Sequence, residues 1–201
     1  MAMTDSVKGP PAPTQPFKDG NADLLRMAER LSALEGKVAK GAVEDRLSMV
    51  VFSGSLDRVL AAFVLASTAA SSGMQVEMFF TFWALSALRD PKKNPKKSDW
   101  LGRMFGWMLP RGHKKLPMSQ MHMGGAGPAM IRHVMSKKKF ASIDEMLAIC
   151  GEMGVKIHAC DMSREIMGIS AEELIDYPHL GTCGAATFLE KAAGGRVTLF
   201  I

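Results

Sequence analysis

The run LSMVVFS at residues 47–53 constrains this chain more than any other stretch. It is apolar almost without interruption, so it lacks the in/out alternation of a strand with one wet face. A strand of this kind is buried on both faces and belongs to a parallel sheet with helices above and below. The residues after it agree. Ser53-Gly54-Ser55 makes a turn, and Ser55 is placed to cap a helix over residues 56–72 that Gly73 ends.

The same alternation continues. Residues 76–81 read as a second strand, and residues 82–88 as a helix stopped by Asp90-Pro91. Pro128 suits the first turn of a helix reaching about Ser136. Ser142-Ile143-Asp144-Glu145 is a capping box for a helix that ends near Gly151. Residues 155–159 are a third strand. Ser170 to Glu173 is a second capping box, on a short helix, and a brief strand is expected near Leu180. A helix over 182–193, closed by Gly194-Gly195, leads to a last strand at 197–201. Repeated strand–helix units predict an α/β fold of three layers, a parallel sheet between helices.

Two segments stand outside this pattern. Residues 1–21 are rich in Pro, Gly and polar side chains and read as a disordered tail. Residues 22–42 read as a helical arm: Leu24, Met27, Leu31, Leu34 and Val38 form a two-heptad apolar stripe. Two heptads rarely hold a helix alone in water, so the stripe needs a cover, in its own domain or in another subunit. The third division is residues 43–201, an α/β domain carrying an insertion at 90–125. Of the net charge of +5, nine Lys/Arg against two Asp fall between Arg89 and Lys115, and the rest of the chain is close to neutral. Lysines there flank Trp100, Phe105 and Trp107 in a basic, Met- and aromatic-rich segment. It is expected to shelter a reactive group or meet an acidic partner. Contact with a membrane surface is the less favoured reading. Nucleic acid is not expected, because the basic residues are not spread over one face.

Three cysteines without a CxxC spacing argue against a disulfide scaffold and for a reducing compartment. The first twenty residues have no apolar core of the signal-peptide kind, and no apolar run approaches the roughly 20 residues of a membrane span. The expected location is the cytoplasm. No GxGxxG fingerprint and no zinc-module spacing is present, so neither cofactor nor metal is expected. The four methionines of MSQMHMGGAGPAM, 118–130, are read as adaptable packing rather than copper ligands.

The chemistry is concentrated in GVKIHACDMSREIMG, residues 154–168. An apolar strand runs into Cys160 and then at once into a helix. In parallel sheets, ligands and reactions gather at the carboxyl ends of strands. With Asp161 or Ser163 as cap, the helix N–H groups and Arg164 favour negative charge on the sulfur. His158 shares the strand face of Cys160 and is a candidate proton partner. Cys183, in GTCGAATF, is a candidate second thiol, able to pair with Cys160 in a reversible disulfide. Cys150, inside a helix beside Ile149, reads as core. A small buried filler remains the alternative for Cys160 itself.

The stretch GVKIHACDMSREIMGISAEELIDYPHLGTCGAATFLEKA, with the opening strand–SGS–helix and the closing VTLFI, resembles the DsrE/DsrF/DsrH-like family. Its longer branch is the nearest match, with a Met- and Lys-rich middle like KKLPMSQMHMGGAGPAMIRHVMSKKKF. The resemblance covers about residues 46–201, and its most specific part is AC-x-MS-x-x-x-MGI. It implies a five-stranded parallel sheet, a homo-oligomer and a role as sulfur carrier or sulfurtransferase. The family cysteine maps onto Cys160, which would hold sulfane sulfur as a persulfide between donor and acceptor proteins of the TusA-like or rhodanese-like kind. A non-catalytic assembly module and a thiol redox protein are the rival readings.

Overall fold

The computed structural model describes residues 25, 27–33, 43–93, 95, 104, 106, 108–121 and 123–201. Most of the 24–38 stripe lies outside these residues, as do Lys96, Lys97, Trp100, Phe105, Trp107 and His122. Within the arm, residues 27–33 are helical, with Leu25, Met27 and Leu31 exposed. Residues Val43–Ile201 form a compact unit of their own.

That unit contains five strands and five α-helices among the described residues. They are β1 (Glu44–Val51), α1 (Leu56–Ser71), β2 (Gln75–Phe80), α2 (Ala126–Lys137), α3 (Ile143–Glu152), β3 (Lys156–Cys160), α4 (Asp161–Ile166), β4 (Leu180–Cys183), α5 (Ala185–Ala193) and β5 (Gly195–Phe200). The sheet order is β4-β3-β2-β1-β5 and every pairing is parallel. The fold is the three-layer α/β architecture that the repeated units predict, with five strands.

Topology decides which face each helix covers. From β1 to β4 the chain steps across the sheet in one direction, then returns past β1 to lay down β5. Parallel crossovers are right-handed, so reversing direction moves the connecting helix to the opposite face. Accordingly α1 and α3 lie together on one face, over the large core of Leu47, Met49, Val51, Met78, Phe80, Ile157 and Ala159. Helix α5 lies on the other, where Phe188 and Ala192 meet Phe79 and Cys160 in a second, small cluster.

Local chemistry sets the joints. Ser142 accepts from Glu145 N at 3.3 Å while Glu145 Oε2 accepts from Ser142 N at 2.7 Å, closing the capping box that starts α3. Gly54 lets the loop after β1 press against the exit of β2: a Cβ there would stand 2.5 Å from the Trp83 carbonyl oxygen. Residues Phe82–Leu88 form a 3-10 helix rather than an α-helix, and five of its seven residues are buried. The last helix starts later than the spacing predicts. It runs from Ala185, because Thr182 and Cys183 are drawn into β4 by pairing with Ala159 and Cys160.

At the reversal of strand order, between β1 and β5, the chain itself joins the carboxyl ends of the two strands. Phe52 N donates to Ile201 O and Ile201 N donates to Val50 O. Phe52 stacks on Phe200 at 6.0 Å. Leu109 and Leu116 of the basic segment join the large core, not the small cluster. The sheltering expected of residues 90–125 over Cys160 is not provided by these two residues.

Candidate functional site

Cys160 ends β3 and is itself the N-cap of α4, with φ −67° and ψ 118°. Its side chain makes no capping hydrogen bond, and neither Asp161 nor Ser163 takes the expected N-cap position; both of their side chains are used elsewhere. Asp161 Oδ1 accepts from Arg164 Nη2 at 3.0 Å, and Ser163 Oγ lies 2.8 Å from Thr81 Oγ1. The second contact is fully buried and ties the end of β2 to the start of α4. Arg164 also donates to Ile169 O at 3.2 Å, so its guanidinium is held by Asp161 and this carbonyl.

The β3–β4 register brings the two candidate cysteines together. Cys160 pairs with Cys183 and His158 with Gly181, so both sulfurs project from the same face of adjacent strands. Their burial differs. Cys160 is 1% exposed, under Phe79 and Phe188, whose rings stack at 4.8 Å and 16°. Cys183, at the end of the edge strand, is half-buried. Burial pushes the Cys183 thiol up, while the Lys191 charge draws it back down. Asp161, Cys160 and Glu77 add to the upward push. Cys150 is buried in α3, with its thiol pushed up by burial to about 11. That is a core cysteine with no stabilised thiolate.

The same face carries a charge cluster around Glu77, a carboxylate only 3% exposed. Its Oε2 is 3.2 Å from His158 Nε2 and 3.5 Å from Lys191 Nζ, and its Oε1 is 3.3 Å from Lys156 Nζ. A carboxylate can only accept, so the Nε2–H tautomer of His158 is the one that matches it. Nδ1 is then left as an acceptor on the β4 side, where a Cβ at Gly181 would stand 3.8 Å from it. Burial, then the Lys191 charge, hold His158 below its usual range, against the pull of Glu77. Burial alone would raise Glu77; the charges of Lys191 and Lys156 and the Lys156 hydrogen bond outweigh it and hold the carboxyl low.

Both shifts act in one direction on stability. A histidine kept neutral by the fold loses stability as pH falls below its unfolded value near 6.5. A carboxylate held low does so as pH falls below its unfolded value near 4.5. Thermal melts should therefore decline in two stages on acidification, His158 first. A His158→Gln variant should lose the first stage and keep the second.

Sequence reasoning names Cys160, Cys183, His158 and Arg164 as candidates. Glu77 and Lys191, which the fold places beside them, are not among those candidates. The signal for Glu77 was present, a charged residue in the middle of the apolar strand QVEMFF. Lys191 follows Phe188 by three residues and so shares its helix face.

The family model described as DsrE/DsrF/DrsH-like matches residues 43–200, the whole of the compact unit apart from its last residue. The chain belongs to this family. YrkE of Bacillus subtilis, an uncharacterized protein, is 38% identical over 156 residues, 78% of this chain and 96% of YrkE. The sulfur carrier protein DsrE2 of Allochromatium vinosum is 35% identical over 162 residues, 79% of this chain and 99% of its own length. Among the described residues, no helix is long and apolar enough to cross a membrane.

Proposed function

We propose that this chain is a sulfur carrier that holds sulfane sulfur as a persulfide on Cys160 and passes it to a partner thiol. The observation that carries the reading is the placement of Cys160. It stands at the carboxyl end of a parallel strand, in a dry cluster, in register with a second thiol and two residues from a neutral histidine. Family membership and the name of the Allochromatium vinosum relative support the same reading.

The chemistry is two exchanges of one kind. A thiolate of this chain attacks the outer sulfur of a donor persulfide, the donor leaves as a thiolate, and the sulfur is held on Cys160. An acceptor thiolate then attacks the outer sulfur on Cys160, and Cys160 leaves as a thiolate. Electrons balance without an oxidant, and no metal or cofactor takes part. The walls of Phe79, Phe188 and Ala192 keep stray thiols from a stored persulfide. Donor and acceptor are proteins of the TusA-like or rhodanese-like kind in this reading, the chain works as a homo-oligomer, and its compartment is the cytoplasm.

Incubation with inorganic polysulfide followed by intact-mass measurement tests the proposal. Wild type should gain sulfur in steps of one atom, and alkylation with peptide mapping should place it on Cys160. Cys160→Ser should hold no sulfur that survives removal of the polysulfide. Stable loading of Cys160→Ser that disappears in Cys183→Ser would sink the assignment. The Cys160–Cys183 register also favours a thiol–disulfide reading; rapid closure of that disulfide under mild oxidation, with no sulfur uptake, would promote it.

A further inference from the structure

We infer that the two cysteines act in order, Cys183 receiving sulfur from the donor and Cys160 storing it. The inference rests on the sulfur-carrier reading and adds an entry point and a direction inside the chain.

Three observations carry it. The first is the register. Cys160 and Cys183 are partners on hydrogen-bonded parallel strands, whose spacing is about 4.8 Å, and they share a face. A sulfur atom bound to one is within reach of the other. The second is the difference in access. Cys160 is 1% exposed and enclosed by Phe79, Phe188, Ala192 and Cys183. Cys183 is the part of that wall lying on the sheet edge, and it is half-buried. A donor approaching along the carboxyl rim meets Cys183 first, whereas direct contact with Cys160 requires α5 to move. The third is the space beside Cys183. A Cβ on the next residue, Gly184, would meet nothing within 4 Å, so the chain just past the edge thiol is not covered by other residues.

The internal step balances within the pair. Donor sulfur first forms a persulfide on Cys183, and the donor leaves as a thiolate. The Cys160 sulfur then attacks the outer sulfur of that persulfide. The new bond to Cys160 forms as the bond to Cys183 breaks, and the proton of the Cys160 thiol ends on the departing Cys183 sulfur. The Lys191 charge eases development of negative charge on Cys183 as it leaves. The stored persulfide then sits in the drier of the two positions, away from bulk thiols.

The experiment uses the full chain, glutathione persulfide as donor, and rapid acid quench with alkylation and peptide mapping. Wild type should show sulfur on Cys183 before Cys160. Cys183→Ser and Cys183→Ala should load Cys160 roughly tenfold or more slowly, with unchanged circular dichroism. Cys160→Ser should show sulfur on Cys183 in samples quenched while the donor is present, and lose it once the donor is removed, because the edge persulfide is open to bulk thiols. Loading of Cys160 at the wild-type rate in both Cys183 variants, or no sulfur on Cys183 in the quenched Cys160→Ser samples, would overturn the order of events and leave the carrier reading standing. Wild type that never gains sulfur on Cys160 would overturn the carrier reading, and the inference with it.

Discussion

Replacing Arg89 with Met should lower the free energy of unfolding by about 3–5 kcal/mol. Arg89 and Glu173 form an ion pair in which each side chain is 1% exposed. Glu173 Oε2 accepts from Arg89 Nη2 at 2.9 Å and from Nε at 3.2 Å. Nη1 donates to Leu109 O at 3.2 Å, and Nη2 also donates to Gly106 O at 3.3 Å. One guanidinium thus fastens the basic segment to the turn at Ala171–Glu173. Truncating it takes the Arg89 charge from a buried carboxylate and the Arg89 donor from Leu109 O, while Gly106 O keeps its Arg111 donors at 3.4 Å, and the first two losses set the magnitude. Exposed pairs behave differently: breaking Arg196–Asp45, at 66% and 58% exposure, should cost at most about 1 kcal/mol. The double variant Arg89→Met with Glu173→Leu should recover much of the single loss, since it removes both charges together. Urea melts on the two singles and the double decide this. A loss under about 1 kcal/mol for Arg89→Met would mean that the Glu173 charge is compensated without Arg89.

The sheet was readable from sequence because its signals are local. A strand buried on both faces lacks alternation, and LSMVVFS shows it. Ser142 and Glu145 declare their helix start within four residues. Cys183 was misassigned to the last helix for the complementary reason. Its strand is four residues long and exists through pairing with β3, a long-range contact with no local mark. The pairing of Cys160 with Cys183 is a register fact of the same kind. So is the depth of Cys160, which depends on Phe188 arriving from a distant helix. The position of Cys160 at a strand end was legible, and its enclosure was not. The charge cluster lies between these cases. Glu77 announces itself as a misfit within an apolar strand, but its cationic partners come from β3 and α5, and only the fold assembles them.

That cluster should control the reactivity of Cys183 in a way that two substitutions can separate by sign. Lys191 lowers the Cys183 thiol and Glu77 raises it, against a background in which burial is the largest upward influence. Lys191→Met should therefore move the midpoint of the pH–rate profile for Cys183 alkylation upward. Glu77→Gln should move it downward. The thiolate is the nucleophile, so at neutral pH the first change slows alkylation and the second speeds it. Stability follows a different order. Glu77→Gln weakens the charged acceptor of buried His158 and removes the counter-charge of two lysines, and should cost about 1–3 kcal/mol. Lys191 is about one-third exposed and can be lost for less. A general loosening of the fold would accelerate alkylation in both variants without moving either midpoint. Opposite shifts, measured with Cys150 and Cys160 replaced by serine so that a single thiol reports, would establish that Lys191 and Glu77 act on the edge cysteine through charge. Midpoints that stay together would remove the cluster from the chemistry of this thiol and leave it as a tether between β2, β3 and α5.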